Sequence, residues 1–526
     1  MDWEDCMKFR VNRSAVTRRG LGLAVTGMAA AALFAPGFAW AQNSTSANLA
    51  MVGEPQSLDP MASTADLVGL IMQHVYEPLF TFDAKWAVQP MLAAELPKMS
   101  ADGKTYTIEI RKGVKLHNGR DLDAEDVVAS LKRWVEMTPR GKALGKSIAS
   151  ITAKGPLTVE IALSDVQPAL LAHLALPSGF AGIMAKESVA NPLVDFIGTG
   201  PYKFRERKPD QYVVLMKHDA YSARSEAPSG YAGKREAKID ELRFIPVPNA
   251  NTRVEGVVAG QYQFADQLPV ESNKKVSTAS GVAAVLTMPY GFPYFPTNTK
   301  QGPMADAKIR QAFQMALNDE EILLAGFGDP KFYSVAGEHF PKGSPFYSTA
   351  GVEKYNKGDA AGAKKLLAEA KYDGTPIRIL NSKQYDFHNR MALVMAEQLK
   401  AAGFKVTLEV VDWATLIQRR GDPALWDVYI THSAFLPEPM LSPPQLGDGA
   451  PGWWKTPAKD AALAAFNSEP DPAKRGALWG KVQQVVYDEV PYIRAGNFAS
   501  LSGVSAKMKG YTPMPWPAFW NVEISK

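Results

Sequence analysis

Cysteine occurs once in this 526-residue chain, at position 6, so whatever it folds into must hold together without a disulfide. Cys6 precedes the arginine pair Arg18-Arg19 and the apolar run 21–34, which Pro36 breaks and Ala39-Trp40-Ala41 follows. A charged start, a short apolar run and an A-x-A exit mark an export signal. The run is too short to cross a bilayer as a helix. Twin arginine with a glycine-diluted apolar run favours the Tat route, which carries folded cargo, with Sec export as the alternative. Cleavage after Ala41 would leave 485 residues with no thiolate nucleophile, no cysteine metal ligand and no cysteine for a lipid anchor. Such a chain relies on its core, and 46% hydrophobic residues are enough to build one.

Charge removes two classes of partner. Of 58 basic and 54 acidic side chains, five and three lie in the first 41 residues, leaving 53 against 51. A nearly neutral mature chain has no basic footprint for nucleic acid and no polybasic grip on an anionic membrane. No second run of eighteen apolar residues is present, which predicts a soluble mature protein. The length suits two to four domains, and there is no tandem repeat.

Two periodicities interleave along the chain. Tyr106, Ile108 and Ile110 alternate with polar neighbours, as do Phe404, Val406, Leu408 and Val410, and both segments are expected as strands. Asp123 with Asp126 forms a helix start before Val127, Leu131, Trp134 and Val135. Asp359 caps a helix with Ala363, Leu366 and Leu367 inward; Met391, Met395 and Leu399 line another that Gly403 stops. Helices alternating with strands give an α/β protein with partly parallel sheets.

Six segments in order resemble the family 5 extracellular solute-binding proteins of peptide- and nickel-type ABC importers. They are Ser57-Leu58-Asp59-Pro60; Val75-Tyr76-Glu77-Pro78-Leu79; Asn118-Gly119-Arg120 with Leu122 to Val128; Ser130-Leu131-Lys132-Arg133; Ile197-Gly198-Thr199-Gly200-Pro201-Tyr202; and Asn298-Thr299-Lys300 with Asp306 to Phe313. Each also has a local reading as turn or cap: glycines for positive φ before Pro201, an X-Pro turn at Asp59-Pro60, an N-cap at Asp306. The resemblance implies a type II periplasmic-binding-protein fold, two lobes closing on a cleft with an inserted third domain. Lobe I would comprise 42–83, 200–292 and 498–526, the inserted domain 84–199, and lobe II 293–497. The chain would cross between lobes at 290–295 and near Asn497, and the glycine and prolines of 290–296 suit a hinge.

The resemblance also locates candidate ligand contacts. In peptide-binding relatives an aspartate of the second lobe pairs with the ligand's α-amine, and in this sequence Phe435 stands at that place. A cation–π contact there is worth at most about 2 kcal/mol. It does not replace a charge-paired hydrogen bond in a closed cleft, so ordinary free-amine peptides lose their anchor. The carboxylate-binding arginine of dipeptide-specific relatives falls at 381–384, where Lys383 is the nearest cation. Met440 stands where nickel-type relatives place a histidine, leaving His432 and His388 as candidate ligands; lone histidines are more often structural. Ser63 and Thr64 fall where relatives have first-lobe contacts. Trp413, Trp426, Phe435, Tyr290, Phe292 and Tyr294 are read as loop aromatics suited to an apolar cleft wall. Trp453-Trp454 is either a rim or a packing anchor. The ligand-contact set is therefore Ser63, Thr64, Tyr290, Phe292, Lys383, Trp413, His432 and Phe435, with no catalytic residue, cofactor or resident metal.

No G-x-S-x-G elbow, H-E-x-x-H or i,i+4 histidine pair supports a hydrolase. The expected function is capture: a monomeric periplasmic protein of a Gram-negative cell that delivers a peptide or peptide-like solute to an inner-membrane permease and its ATPase. The alternatives are a non-peptide solute (opine-like, oligosaccharide or metal chelate) or ligand sensing without import.

Overall fold

A computed structural model describes residues 45–441 and 446–525; the expected export signal lies outside the described residues. Strand Ser46–Met51 sits near the middle of the largest sheet, and its side chains serve two cores. Ala47, Leu49 and Met51 join one, while Ala50 joins the other. Ser46 and Asn48 alternate with Ala47 and Leu49 at its start, and only its apolar end, Leu49-Ala50-Met51, is buried on both faces. Along the main path of the sheet the strands run Thr431–Ala434, Val282–Pro296, Asn497–Ser505, Phe264–Leu268, Ser46–Met51, Glu241–Pro246, Tyr212–Lys217 and Tyr202–Lys208. Ser46–Met51 pairs in parallel with both its neighbours, and the other pairs are antiparallel. The first half of the molecule is built on this parallel trio.

The second half is built on a parallel three-stranded sheet, Val406–Val411, Ile377–Ser382 and Val428–Tyr429. The helices Ala307–Ala316, Ala360–Glu369 and Asp386–Ala401 share its apolar core through Phe313, Leu367 and Met395. A further antiparallel sheet orders Lys98–Met99, Thr105–Glu109, Thr158–Leu163 and Ile148–Gly155, with Tyr106 and Ile108 facing its core as their alternation predicts. Helix Ala124–Met137 covers it, and Asp123 and Asp126 form the expected reciprocal capping box. Arg120 grips the Asp126 carboxylate with two N–H groups at 2.6 and 2.9 Å.

The segments that carry the family resemblance interlock as scaffold. Arg133 donates twice to Asp59, at 2.9 and 2.5 Å, with both groups buried. Glu77 accepts from Thr199 Oγ1 at 2.9 Å and from the Tyr221 hydroxyl at 2.6 Å. Asp306 caps its helix as read locally, but Gly198 and Gly200 do not take the expected positive φ; they are needed because a Cβ would meet the Val75 and His74 carbonyls.

The two halves are joined by one long strand and a return. Strand Val282–Pro296 pairs through Thr287 with Asn497–Ser505, its register then shifts, and from Gly291 it pairs with Thr431–Ala434 and Tyr492–Arg494. The segment expected as a hinge loop is therefore strand. Its aromatic residues favour the pleat, and partners on both sides outweigh its glycine and prolines. Gly291 is needed because a Cβ there would meet the Phe498 ring and the Ser433 carbonyl. The return crossing is Ala495-Gly496, between Tyr492–Arg494 and Asn497–Ser505, and Gly496 takes φ 140°, a value side chains rarely allow.

Candidate functional site

Ligands of open α/β folds bind beyond the carboxyl ends of parallel strands. In the second half those ends converge on aromatic and imidazole rings. Ile377–Ser382 leads to Tyr385, Val406–Val411 to Trp413, and Val428–Tyr429 to His432. Trp413 opens helix Trp413–Arg419, which Asp412 caps by accepting from Thr415 N at 2.9 Å, and its own backbone N–H donates to Gln384 at 2.8 Å. Tyr385 stands 4.9 Å from Trp413 and 4.7 Å from His432, and Phe387 stands 5.4 Å from His432. His388 Nε2 and His432 Nδ1 share one hydrogen bond of 3.0 Å. Burial lowers His388 to about 2, with the His432 charge adding, and burial lowers His432 to about 4. Both rings are neutral at neutral pH. Each spends a nitrogen on the other, so they do not form a paired metal grip, and no group of three metal-ligating side chains occurs among the described residues. The structure brings Trp413 and His432 within 6.2 Å of each other, with Tyr385 and Phe387 as unforeseen neighbours. Lys383 is exposed just past the strand end.

Carboxylates dominate the first half. Strand Phe264–Leu268 loses register between Ala265 and Leu268, and Gln267 takes φ 44°. An irregularity of this kind re-aims side chains. Asp266, at its centre, is 5% exposed. Arg253 directs its N–H groups to the carbonyls of Val247, Pro248, Asp266 and Gln267 rather than to the Asp266 carboxylate. Burial raises the Asp266 carboxyl to about 6; Arg253 and hydrogen bonds from Gln267 oppose the rise, and the Asp66 charge adds to it. Asp66 begins helix Asp66–Met72 and accepts from Trp516 Nε1 at 2.8 Å. Solvent reaches Asp66, yet enough protein surrounds it for desolvation to raise its carboxyl, as on a cleft floor. Burial raises the Tyr290 hydroxyl, with the charges of Asp266 and Asp66 adding. The enclosed Tyr511 hydroxyl has no hydrogen-bond partner, and burial followed by the Asp266 charge raises it too. These four groups share one electrostatic neighbourhood. Phe498 links them to the other half, 6.2 Å from Tyr290 and 6.1 Å from His432.

Ser63 and Thr64 lie just before Asp66. The Ser63 hydroxyl is occupied by Ala65 N at 3.1 Å, whereas Thr64 is exposed and its carbonyl accepts from Ser178 at 2.8 Å. Phe435 is 1% exposed, its ring 5.0 Å from Trp86 and 6.2 Å from Phe340, and its N–H donates to the Tyr290 carbonyl at 2.9 Å. The cavity it shares with Phe292, His339 and Arg494 is about 20 Å³, room for a water and not a solute. Arg494 is 7% exposed and lies 4.0 Å over the Phe292 ring, with its Nε unpartnered. It donates to the His339 carbonyl at 2.6 Å and to Asn497. Burial lowers Arg494 to about 10, against the opposing charges of nearby tyrosines.

Several expected wall aromatics pack elsewhere. Trp426 is fully buried with Leu380, Leu416 and Tyr429, stacked 5.6 Å from Trp453, and Trp454 donates to Glu489 at 2.6 Å. The tryptophan pair is packing. Tyr290, Phe292 and Tyr294 belong to the long strand, not to a loop. At the outer boundary the halves leave an open groove of about 590 Å³ between Val270, Lys274 and Phe327, Lys331 and Arg390. Phe327 stacks on Phe498 at 5.4 Å, so this groove adjoins the same ring cluster.

Residues 87–451 match the family described as Bacterial extracellular solute-binding proteins, family 5 Middle. The chain belongs to that family. Family 5 proteins are substrate-binding proteins, and the molecule has their type II periplasmic-binding-protein fold with several domains. A Sinorhizobium fredii relative described as probable peptide ABC transporter periplasmic-binding protein y4tO is 29% identical, over 97% of this chain and 99% of its own. The glutathione-binding protein GsiB of Pectobacterium atrosepticum is 26% identical over 95% of this chain and 97% of its own. The ABC transporter substrate-binding protein CtaP of Listeria monocytogenes shares the fold with a TM-score of 0.79 at 22% identity, over 92% of this chain and 100% of its own. No helix among the described residues is long and apolar enough to cross a membrane.

Proposed function

We propose that this family 5 protein is the exported, monomeric solute-binding component of an ABC importer in the periplasm of a Gram-negative cell. It captures a peptide or peptide-like solute between its halves and hands it to a membrane permease driven by an ATPase. The observation that carries this reading is the gathering of Tyr385, Trp413 and His432 beyond the carboxyl ends of the second half's parallel strands, joined through Phe498 to Tyr290 on the crossing strand. The peptide and glutathione descriptions of the two sequence relatives support the solute class. The lobes would divide at 42–83, 200–292 and 498–526 against 293–497, with 84–199 inserted. Solute touching both halves shifts the open–closed equilibrium toward the closed form. A wrong solute leaves buried polar groups unpaired at about 1–3 kcal/mol each, which supplies selectivity.

A second reading, a solute other than an ordinary free-amine peptide, is favoured by Phe435, which the resemblance sets at the amine anchor's place and whose ring packs against Trp86 and Phe340. A thermal-shift screen of refolded protein tests both. Its panel holds free-amine peptides, N-blocked peptides, opine-type conjugates, oligosaccharides and nickel–histidine mixtures. A true solute at a thousandfold excess over Kd stabilises by about 4 kcal/mol. Stabilisation by a peptide or peptide-like compound is expected; silence across the panel contradicts the capture reading.

A further inference from the structure

Protein interiors are close-packed, and a space larger than a few waters forfeits contacts that its lining would otherwise make. A cavity of about 200 Å³ nevertheless lies between two parts of the chain that are far apart in sequence. On one side are Phe82 and Trp86, of the hairpin that joins strands Phe80–Phe82 and Val88–Pro90, and Leu171 of helix Leu170–Ala175. On the other are Phe346, Glu438 and Arg475, the last on helix Pro472–Glu489. Apart from Glu438 and Arg475, every lining residue is apolar. Leu96 is one of them and is 48% exposed, so the cavity reaches solvent at that side chain.

The two charged side chains spend their charge on each other. Arg475 donates to both Glu438 oxygens, at 2.7 and 2.9 Å, with both groups buried. Met440 N donates to the same carboxylate at 3.2 Å, and the guanidinium lies 4.4 Å over the Phe466 ring and 5.3 Å over Phe346. A charged guest would leave water and find no free counter-charge. Among the lining side chains the one enclosed polar atom without a partner is Arg475 Nε, a donor, which suits a neutral oxygen and not a cation. An apolar cavity of about 150 Å³ holds benzene, so this one has room for an aromatic ring with a short tail. A second feature points to the same place. Trp86 is buried at φ 65°, a conformation that bulky side chains rarely adopt. The turn sets its indole against both the cavity and the Phe435 ring, 5.0 Å away. Backbone held in such a state clusters at ligand clamps.

We propose that this cavity is a binding pocket for an uncharged, benzene-sized apolar group, which clasps the two parts of the chain that line it. The rings of Phe82, Trp86 and Phe346 and the side chain of Leu171 take the group out of water. The neutralised Glu438–Arg475 pair at the cavity gives a charged group of the same shape nothing in return. The group arrives either as a side chain of the captured solute or as a small apolar molecule. The first source rests on the capture reading; the second does not.

The test uses refolded protein at pH 7.5 and two sets of probes. Benzyl alcohol, benzoate and benzylamine share one ring and differ in charge; Ala-Phe-Ala and Ala-Ala-Ala differ only in carrying that ring. Titration calorimetry is read for wild type, for Ala87→Trp, which fills the cavity from a half-buried lining position, and for Leu171→Gln, which makes its lining polar. Benzyl alcohol bound at least about tenfold more tightly than both charged rings identifies a free apolar molecule as the occupant. A preference of about tenfold for Ala-Phe-Ala over Ala-Ala-Ala, with benzyl alcohol silent, identifies a side chain of the solute. In either case both variants should abolish the preference, and one variant gives the reading if the other does not fold. Charged rings that bind as well as benzyl alcohol, a preference that survives the substitutions, or no preference in either set overturns the pocket. Silence of both tripeptides contradicts peptide capture, while the benzyl alcohol set still decides the pocket.

Discussion

Asp266 in the first half, and His388, His432 and Arg494 in the second, are ionisable groups taken out of water, and they answer desolvation differently. The two imidazoles give up their charge and bond to each other. Arg494 keeps its charge by donating to a carbonyl and an amide and stacking on Phe292. Asp266 has neither remedy, and burial raises its carboxyl instead. A fold that pairs Asp59 with Arg133 and Glu438 with Arg475 is able to neutralise buried acids. Among the described residues Asp266 in the first half and Asp319 in the second are buried without an arginine partner, and burial raises both carboxyls. The difference teaches that desolvation is met by a built-in partner where one is supplied and by loss of charge where it is not.

The largest expected effect tests the contrast between paired and unpaired acids. Arg475→Ala strands Glu438, which both guanidinium N–H groups now hold at 2.7 and 2.9 Å, and should cost about 3–5 kcal/mol in a denaturant melt. A cost near zero would mean that buried acids here need no partner, and the contrast would fail. Next, Phe435→Ala removes a ring packed between Trp86 and Phe340 and should cost about 3 kcal/mol. A much smaller loss would show the aromatic seal to be loose in solution.

The third prediction has the opposite sign. Because the folded-state carboxyl of Asp266 sits near 6, above its unfolded value, the folded protein binds the extra proton between about pH 4 and 6. The ionised form therefore costs stability above pH 6, through burial and the Asp66 charge and despite the opposing Arg253 cation. Asp266→Asn should raise stability by roughly 1–3 kcal/mol at pH 7.5. That gain should shrink to nothing toward pH 4; a gain independent of pH would refute the titration. The smallest effect is in the second half. His432, lowered to about 4 by burial, binds its proton first in the unfolded chain, so its share of stability is lost as pH falls below 6.5 toward 4. His432→Gln should flatten that acid loss by about 1 kcal/mol, and an unchanged slope in pH-dependent melts would count against a neutral imidazole pair.

Much of the scaffold was legible because its signals are local. Asp123 and Asp126 cap one helix, Asp359 caps another, and Tyr106 and Ile108 point inward. The crossing segment was not, because glycine and prolines read as a loop unless pairing on both edges is known. The cleft divides the same way. Trp413 and His432 follow strand ends in one contiguous region and were found together. Asp266 was not found, because a lone acid in a strand leaves no periodic trace. Lys383, read as the nearest cation at 381–384, is exposed. Trp426 looked like a wall because an isolated aromatic carries no label for core or cleft.

The central claim is that solute bridges two halves and closes them. Small-angle scattering of refolded, ligand-free protein, repeated at saturation with whichever tripeptide stabilises it most, measures this directly. The account predicts a smaller radius of gyration with solute for wild type. An unchanged radius in wild type at proven saturation would contradict capture by closure.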